Sequence, residues 1–298
     1  ESGHPEREKR VFNAGIAEQN MIQMAAGLAR CGKIPVVGSY GVFASGRCWD
    51  QIRTSLCYPN MNVKIAGAHA GVSVGPDGAT HQALEEISLM AIIPGMNLVI
   101  PADSMETVKA TKCSLLDVHG PVYLRFAREA TPVISKEETP FVFGKANVIR
   151  YRVRATQFVD AFETVLADQY ANEHEKLCII ACGPMVPEAM RAAFILKEKH
   201  CIETRILNIH TVKPLDTKAI ERAAREVGVL ITAEEHQVGG FGNIIAGTAL
   251  KCGPDRALKL DMIGVEDRFG ESGKPWDLMK AFHLCAEHIV EKALRMVK

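Results

Sequence analysis

A chain of 298 residues with 47% hydrophobic content is long enough to bury the cores of two ordinary domains. Its formal net charge is zero and its basic residues are scattered, which argues against nucleic acid or an anionic membrane as partner. No run approaches the roughly 18 apolar residues of a membrane helix, and the polar opening "ESGHPEREKR" is unlike a secretion signal, so the sequence predicts a cytoplasmic protein.

The first predicted element is a helix in "GIAEQNMIQMAAGLA", residues 15 to 29. Helical spacing from Glu18 gives Met21, Ile22, Ala25 and Ala29, an apolar stripe that the carboxylate continues instead of facing away. Next come a strand in "IPVVGSY", a helix around "CWDQIRTSL", a strand in "NVKIAGA", a helix through "HQALEEISLMAI", a strand in "MNLVIPA", a helix in "METVKATKCSLL" and a strand in "GPVYLRFA". Such alternation predicts βα units on a mostly parallel sheet. The stretch "TPVISKEETPFVFGK", with two prolines and a charge cluster, reads as a linker, placed at 136–145 between a first domain at 1–135 and a second at 146–298.

The second domain repeats the alternation, from "LCIIACG" and the helix "PEAMRAAFILKEKH" through "IETRILNI", "DTKAIERAAREVG", "VLITAEE", a helix after "GGFGN" and "LKLDMIGV" to a closing helix in "CAEHIVEKALRMVK". Between Thr156 and Tyr170, Phe158, Phe162, Val165 and Leu166 fall at helical spacing and predict a further packing helix. The nine cysteines, at 31, 48, 57, 113, 178, 182, 201, 252 and 285, include no CxxC pair and read as reduced core thiols, with no disulfide framework or zinc site.

Five stretches carry residues suited to chemistry. Glu18 heads its helix, where it can favour the helix dipole or serve a buried site. Tyr40 and Phe43 lie in a glycine-rich strand-to-helix loop, as core residues or as the walls of a flat aromatic slot. His69 ends a strand, and Asp77 and His81 precede a helix, near where parallel sheets place ligands; Asp77 before Gly78 is also a common turn pair. Arg128 closes the series, in a position equally suited to a surface ion pair. In the second domain "EEHQVGGFGN" looks superficially like a dinucleotide loop, but its spacing departs from GxGxxG and no acidic residue follows at the usual distance.

Taken together, "GIAEQNM", the aromatic loop before "WDQIR", "HAGVSVGPDGATHQ" and "PADSMETVKA" resemble the pyrimidine-binding domain of the transketolase family of thiamine diphosphate enzymes. "TAEEHQVGGFGN" and "IGVEDRFGESG" resemble that family's carboxy-terminal domain, and the likeness is to the carboxy-terminal subunit of transketolases split into two polypeptides. The resemblance implies an α/β fold of two three-layer αβα domains. It assigns Glu18 to hydrogen-bond N1′ of the cofactor's aminopyrimidine, favouring the imino tautomer that deprotonates thiazolium C2 to a carbanion nucleophile. Tyr40 and Phe43 match the positions that hold the pyrimidine ring. His69, Asp77 and His81 match residues that contact the sugar's hydroxyls and anionic end, and Arg128 matches the arginine that clamps a sugar phosphate. The implied reaction cleaves a ketose between C2 and C3 and transfers the two-carbon fragment to an aldose.

The sequence departs from the family at Pro76, which stands where many transketolases carry an acidic residue before Asp77, and the segment before the glutamate motif is shorter, lacking the usual first strand and helix. A GDG stretch followed roughly 30 residues later by asparagine, the set suited to a diphosphate-bound Mg²⁺ or Ca²⁺, is absent from the sequence. The expectation is therefore no metal ligand in this chain, an amino-terminal partner subunit that carries the diphosphate and metal, and a heterotetramer in which this chain also pairs with its own copy. Three other readings share features: a 2-oxo acid dehydrogenase E1 β subunit has the "GIAEQ" stretch, a deoxyxylulose phosphate synthase has the "DGATHQ" loop in a longer chain, and a non-catalytic regulatory subunit would have neither need.

Overall fold

A computed structural model describes residues 10–253 and 257–298. The first half contains α1 (Glu18–Arg30), β1 (Val36–Tyr40), β2 (Lys64–Ala70), α2 (Glu86–Ala91), β3 (Asn97–Val99), α3 (Ser104–Leu116) and β4 (Val122–Ala127). The second contains β5 (Asn147–Tyr151), β6 (Phe162–Leu166), β7 (Leu177–Ala181), α4 (Met185–His200), β8 (Thr204–Asn208), β9 (Thr211–Lys213), α5 (Thr217–Glu226), β10 (Val229–Gln237), α6 (Phe241–Lys251), β11 (Lys259–Val265), α7 (Pro275–Ala281) and α8 (Ala286–Met296). They build two sheets, ordered β1-β2-β4-β3-β9 and β11-β10-β7-β8-β5-β6. Parallel pairing dominates both, in keeping with the expected α/β class.

The central strands of the second sheet are covered on both faces: every residue of β7, "LCIIA", and of β8, "TRILN", is buried, β7 as an unbroken apolar run and β8 with Arg205 ion-paired to Glu175 and Glu226. Helices present the matching stripes, as when α5 buries Ala219, Ile220, Ala223 and Ala224 behind an N-cap in which Asp216 accepts a bond from Ala219 N–H. No helix among the described residues is long and apolar enough to cross a membrane.

Four expectations change. Thr156 to Tyr170 is not a helix: Phe162–Leu166 is a strand paired antiparallel with β5, Tyr151 opposite Phe162 and Asn147 opposite Leu166. Aromatic and β-branched residues suit a pleated edge, and Phe158 and Phe162 reach Tyr151 and Phe194 from it. The helix around "CWDQIRTSL" is a single α-turn, Trp49–Gln51, between two π-helical stretches, Phe43–Arg47 and Ile52–Cys57. The helix through "HQALEEISLMAI" is confined to α2, since residues 81–85 run irregularly and Ala83 bridges to Ala70. Of the cysteines, five are buried as expected, whereas Cys31 and Cys201 end helices at exposed positions.

Residues 128–146 hold no helix or strand, yet they are tied down. Asp103 accepts bonds from Ile134 and Ser135 N–H, and Lys109 donates to the carbonyls of Lys136, Glu137 and Thr139. The halves also interlock: β9 pairs antiparallel with β3 and so lends a strand from the second half to the first sheet. One core cluster accordingly runs from Ile22 and Ile52 to Phe241 and Ile245.

Candidate active site

β1, β2 and β4 run parallel, and their carboxyl ends deliver Tyr40, His69 and Arg128 to one edge of the first sheet. His69 follows a register shift between β2 and β4 and has φ +57°, a left-handed conformation uncommon for a residue with a side chain. Its ring lies flat on Tyr40, centroids 4.5 Å apart, and its buried Nδ1 has no hydrogen-bond partner. His81 meets Tyr40 and Phe43 edge-on at 5.4 and 5.3 Å. Tyr40 Oη donates to Asp77 Oδ2 at 3.3 Å, and Asp77 Oδ1 is 3.3 Å from Arg128, which also donates to the Val74 carbonyl at 2.7 Å.

Glu18 enters from the first turn of α1, where the dipole favours its charge, and its side chain is only 10% exposed. Its carboxylate accepts from Ser39 Oγ at 3.3 Å and lies 3.5 Å from Arg47, whose guanidinium sits 4.1 Å above the Phe43 ring. All seven residues singled out from sequence thus form one connected constellation. One detail differs from expectation: Tyr40 and Phe43 do not form a flat slot but stand tilted by 44°, with His69 on one ring and Arg47 on the other. Ser39 and Arg47 went unnoticed in the sequence; Arg47 stands four residues beyond Phe43, a spacing that hints at a shared helix face.

In the second domain, the glycines after β10 lead into α6, whose first two N–H groups already have a carboxylate partner. The Glu234 carboxylate accepts the N–H groups of Phe241 and Gly242, each at 2.7 Å. The loop resembling a dinucleotide motif is a helix cap.

The chain matches the family model "Transketolase, pyrimidine binding domain" over residues 1–133 and "Transketolase, C-terminal domain" over residues 169–289. It is 40% identical over 293 residues to a putative transketolase C-terminal section of Methanocaldococcus jannaschii, covering 97% of this chain and 84% of that one. The chain belongs to the transketolase family. Within it, a 6-deoxy-6-sulfo-D-fructose transketolase subunit of a Clostridium species is 37% identical, over 95% of this chain and 80% of its own length. A solved split-gene transketolase, described as an inactive beta4 tetramer, superposes with a TM-score of 0.81 at 34% identity, covering 97% of this chain and 85% of that one.

A transketolase of this kind works with thiamine diphosphate, and the constellation suits its aminopyrimidine. Among the described residues Glu18 makes two long contacts, to Ser39 and Arg47, and so keeps acceptor capacity for a ring N–H. Tyr40 and Phe43 offer aromatic surface beside it, and the unpartnered His69 Nδ1 offers a polar atom to whatever enters next to the rings.

Proposed function

We propose that this chain is the half of a split transketolase that holds the aminopyrimidine of thiamine diphosphate and the ketose donor, and that a partner subunit of amino-terminal type supplies the diphosphate site and its Mg²⁺ or Ca²⁺. The observation that carries this reading is the continuity of the site, from Glu18 through Ser39, Tyr40 and Asp77 to Arg128, along the carboxyl edge of one parallel sheet. Two chains of each kind would form the heterotetramer, in the cytoplasm. The proposed division of this chain is a pyrimidine-binding domain at 1–135, a linker at 136–145 and a carboxy-terminal domain at 146–298.

Bound thiamine diphosphate supplies the nucleophile that carries the two-carbon unit. Glu18 would hold the ring nitrogen by accepting a hydrogen bond from its N–H and, largely screened from water, would favour the protonated form of that nitrogen. Tyr40 and Phe43 orient the ring and exclude water from its reacting edge. Asp77 accepts hydrogen bonds from the donor's hydroxyls near the scissile bond, and His69 and His81 contact the sugar from the side of the rings. Arg128 binds the anionic end, and its side chain is 33% exposed in the pair with Asp77, open enough for a phosphate or sulfonate to reach it.

A coupled transketolase assay on the co-expressed pair tests the reading, run with D-xylulose 5-phosphate beside a panel of phosphorylated and sulfonated ketoses. Glu18→Gln should lower kcat by about 100-fold or more at saturating cofactor. Near-normal turnover in that variant, or micromolar cofactor binding and full turnover by this chain alone, would remove the proposal.

A further inference from the structure

The loop that bears Asp77 is shaped from outside its own domain. It leaves β2 at Gly71 and runs through the 3₁₀ segment Val72–Asp77, and both Gly71 and Gly75 have positive φ, +86° and +78°. A side chain at Gly71 would collide with the Glu235 carboxylate, and one at Gly75 would come within 2.9 Å of Pro275 Cγ. Both obstacles belong to the second domain: Glu235 lies on β10, and Pro275 opens α7.

Glu235 is 1% exposed, and its Oε1 accepts the backbone N–H of Ser73 across 162 positions of sequence. Its own carbonyl accepts from Arg125 at 2.9 Å, and Arg125 is ion-paired with Glu86, so the strand that carries Glu235 is itself anchored to β4. On the far side of the loop, Gln82 Nε2 donates to the carbonyls of Val72 and Glu271, at 3.0 and 2.9 Å. One residue beyond Ser73, the Val74 carbonyl receives Arg128. A shift of the loop at Ser73 therefore moves both groups assigned to the sugar.

We infer that Glu235 is a positioning residue of the active site: by holding Ser73 N–H and filling the space over Gly71, it sets the loop that aims Asp77 and Arg128. The carboxy-terminal domain thus templates the substrate-facing loop. The inference rests on the sugar-binding role given to Asp77 and Arg128. Burial pushes the Glu235 carboxyl upward and Arg125 opposes the shift, so a neutral amide with an oxygen at the same reach is a fitting replacement.

Hydrogen exchange on this chain, together with kinetics of the co-expressed pair using whichever ketose of the panel turns over, tests it. In Glu235→Ala the Ser73 amide should exchange at least roughly tenfold faster while β7 stays protected. The donor KM should rise roughly tenfold with kcat changed far less, and Glu235→Gln should stay near wild type in both readouts. Glu188→Ala, which loses a buried acceptor for Ala286 N–H remote from the loop, is the control for general loosening. Unchanged Ser73 exchange in Glu235→Ala, loosening spread across the second domain as in the control, or an unmoved donor KM overturns the inference. Asp77→Ala separates the two claims: if it leaves the donor KM unaltered, the substrate assignment fails, while Ser73 exchange still judges the clamp.

Discussion

Single residues here owe their properties to what surrounds them. Glu18 is a first-turn acid as well as a proposed site residue, so the dipole that stabilises its charge also helps present it. His210 is the opposite case, a fully buried imidazole stacked 4.3 Å from Phe141, with Nδ1 beside Thr211 Oγ1 and Nε2 without a partner. Burial pushes it from the ordinary 6.5 down to about 3. A depressed imidazole contributes stability above the unfolded value, and that contribution is lost as pH falls from about 6.5 towards 3. Urea unfolding of His210→Gln should therefore show a shallower loss of stability on acidification over that window than the wild type. An equal slope would mean that other groups dominate acid unfolding.

At the scale of elements, the "PADSMETVKA" stretch shows how one side chain can organise several segments. Asp103 caps α3 by accepting Glu106 N–H at 2.8 Å, and its other oxygen accepts Ile134 and Ser135 N–H at 2.8 and 2.6 Å. The cap thereby fastens the connection between the two halves. Asp103→Ala leaves three backbone donors without this acceptor and should cost about 3 kcal/mol in urea unfolding, more than an ordinary cap. A loss below about 1 kcal/mol would show that water replaces it. The strand Phe162–Leu166 teaches the converse: its apolar spacing fits a helix, and only the partner strand Asn147–Tyr151 makes it extended.

Across the whole molecule, the two halves share polar as well as apolar contacts. Arg125 and Glu86 are both buried, Glu235 stands beside them, and His236 Nε2 accepts Ile87 N–H at 3.1 Å, which places the ring proton on Nδ1 towards the Gln237 carbonyl. Removing one member of such an ion pair is costly because the other charge stays buried. Arg125→Met should lose about 3–5 kcal/mol and separate the unfolding of the two halves into distinct steps. One cooperative transition at wild-type stability would show that β9 and the shared core suffice to couple them.

Much of this was legible along the chain. The alternating elements and the apolar run of β7 follow from periodicity, because local patterns dictate which face of an element is buried, while the candidate site residues from Glu18 to Arg128 are picked out by short motifs through their resemblance to the transketolase family. Tertiary structure alone decided that residues 162–166 extend, that Thr211–Lys213 completes the other half's sheet and that Glu235 reaches Ser73. Each depends on contacts between residues far apart in sequence, whose pairing leaves no periodic trace: a strand needs its neighbour, and a buried carboxylate needs a donor that only the finished fold brings within reach.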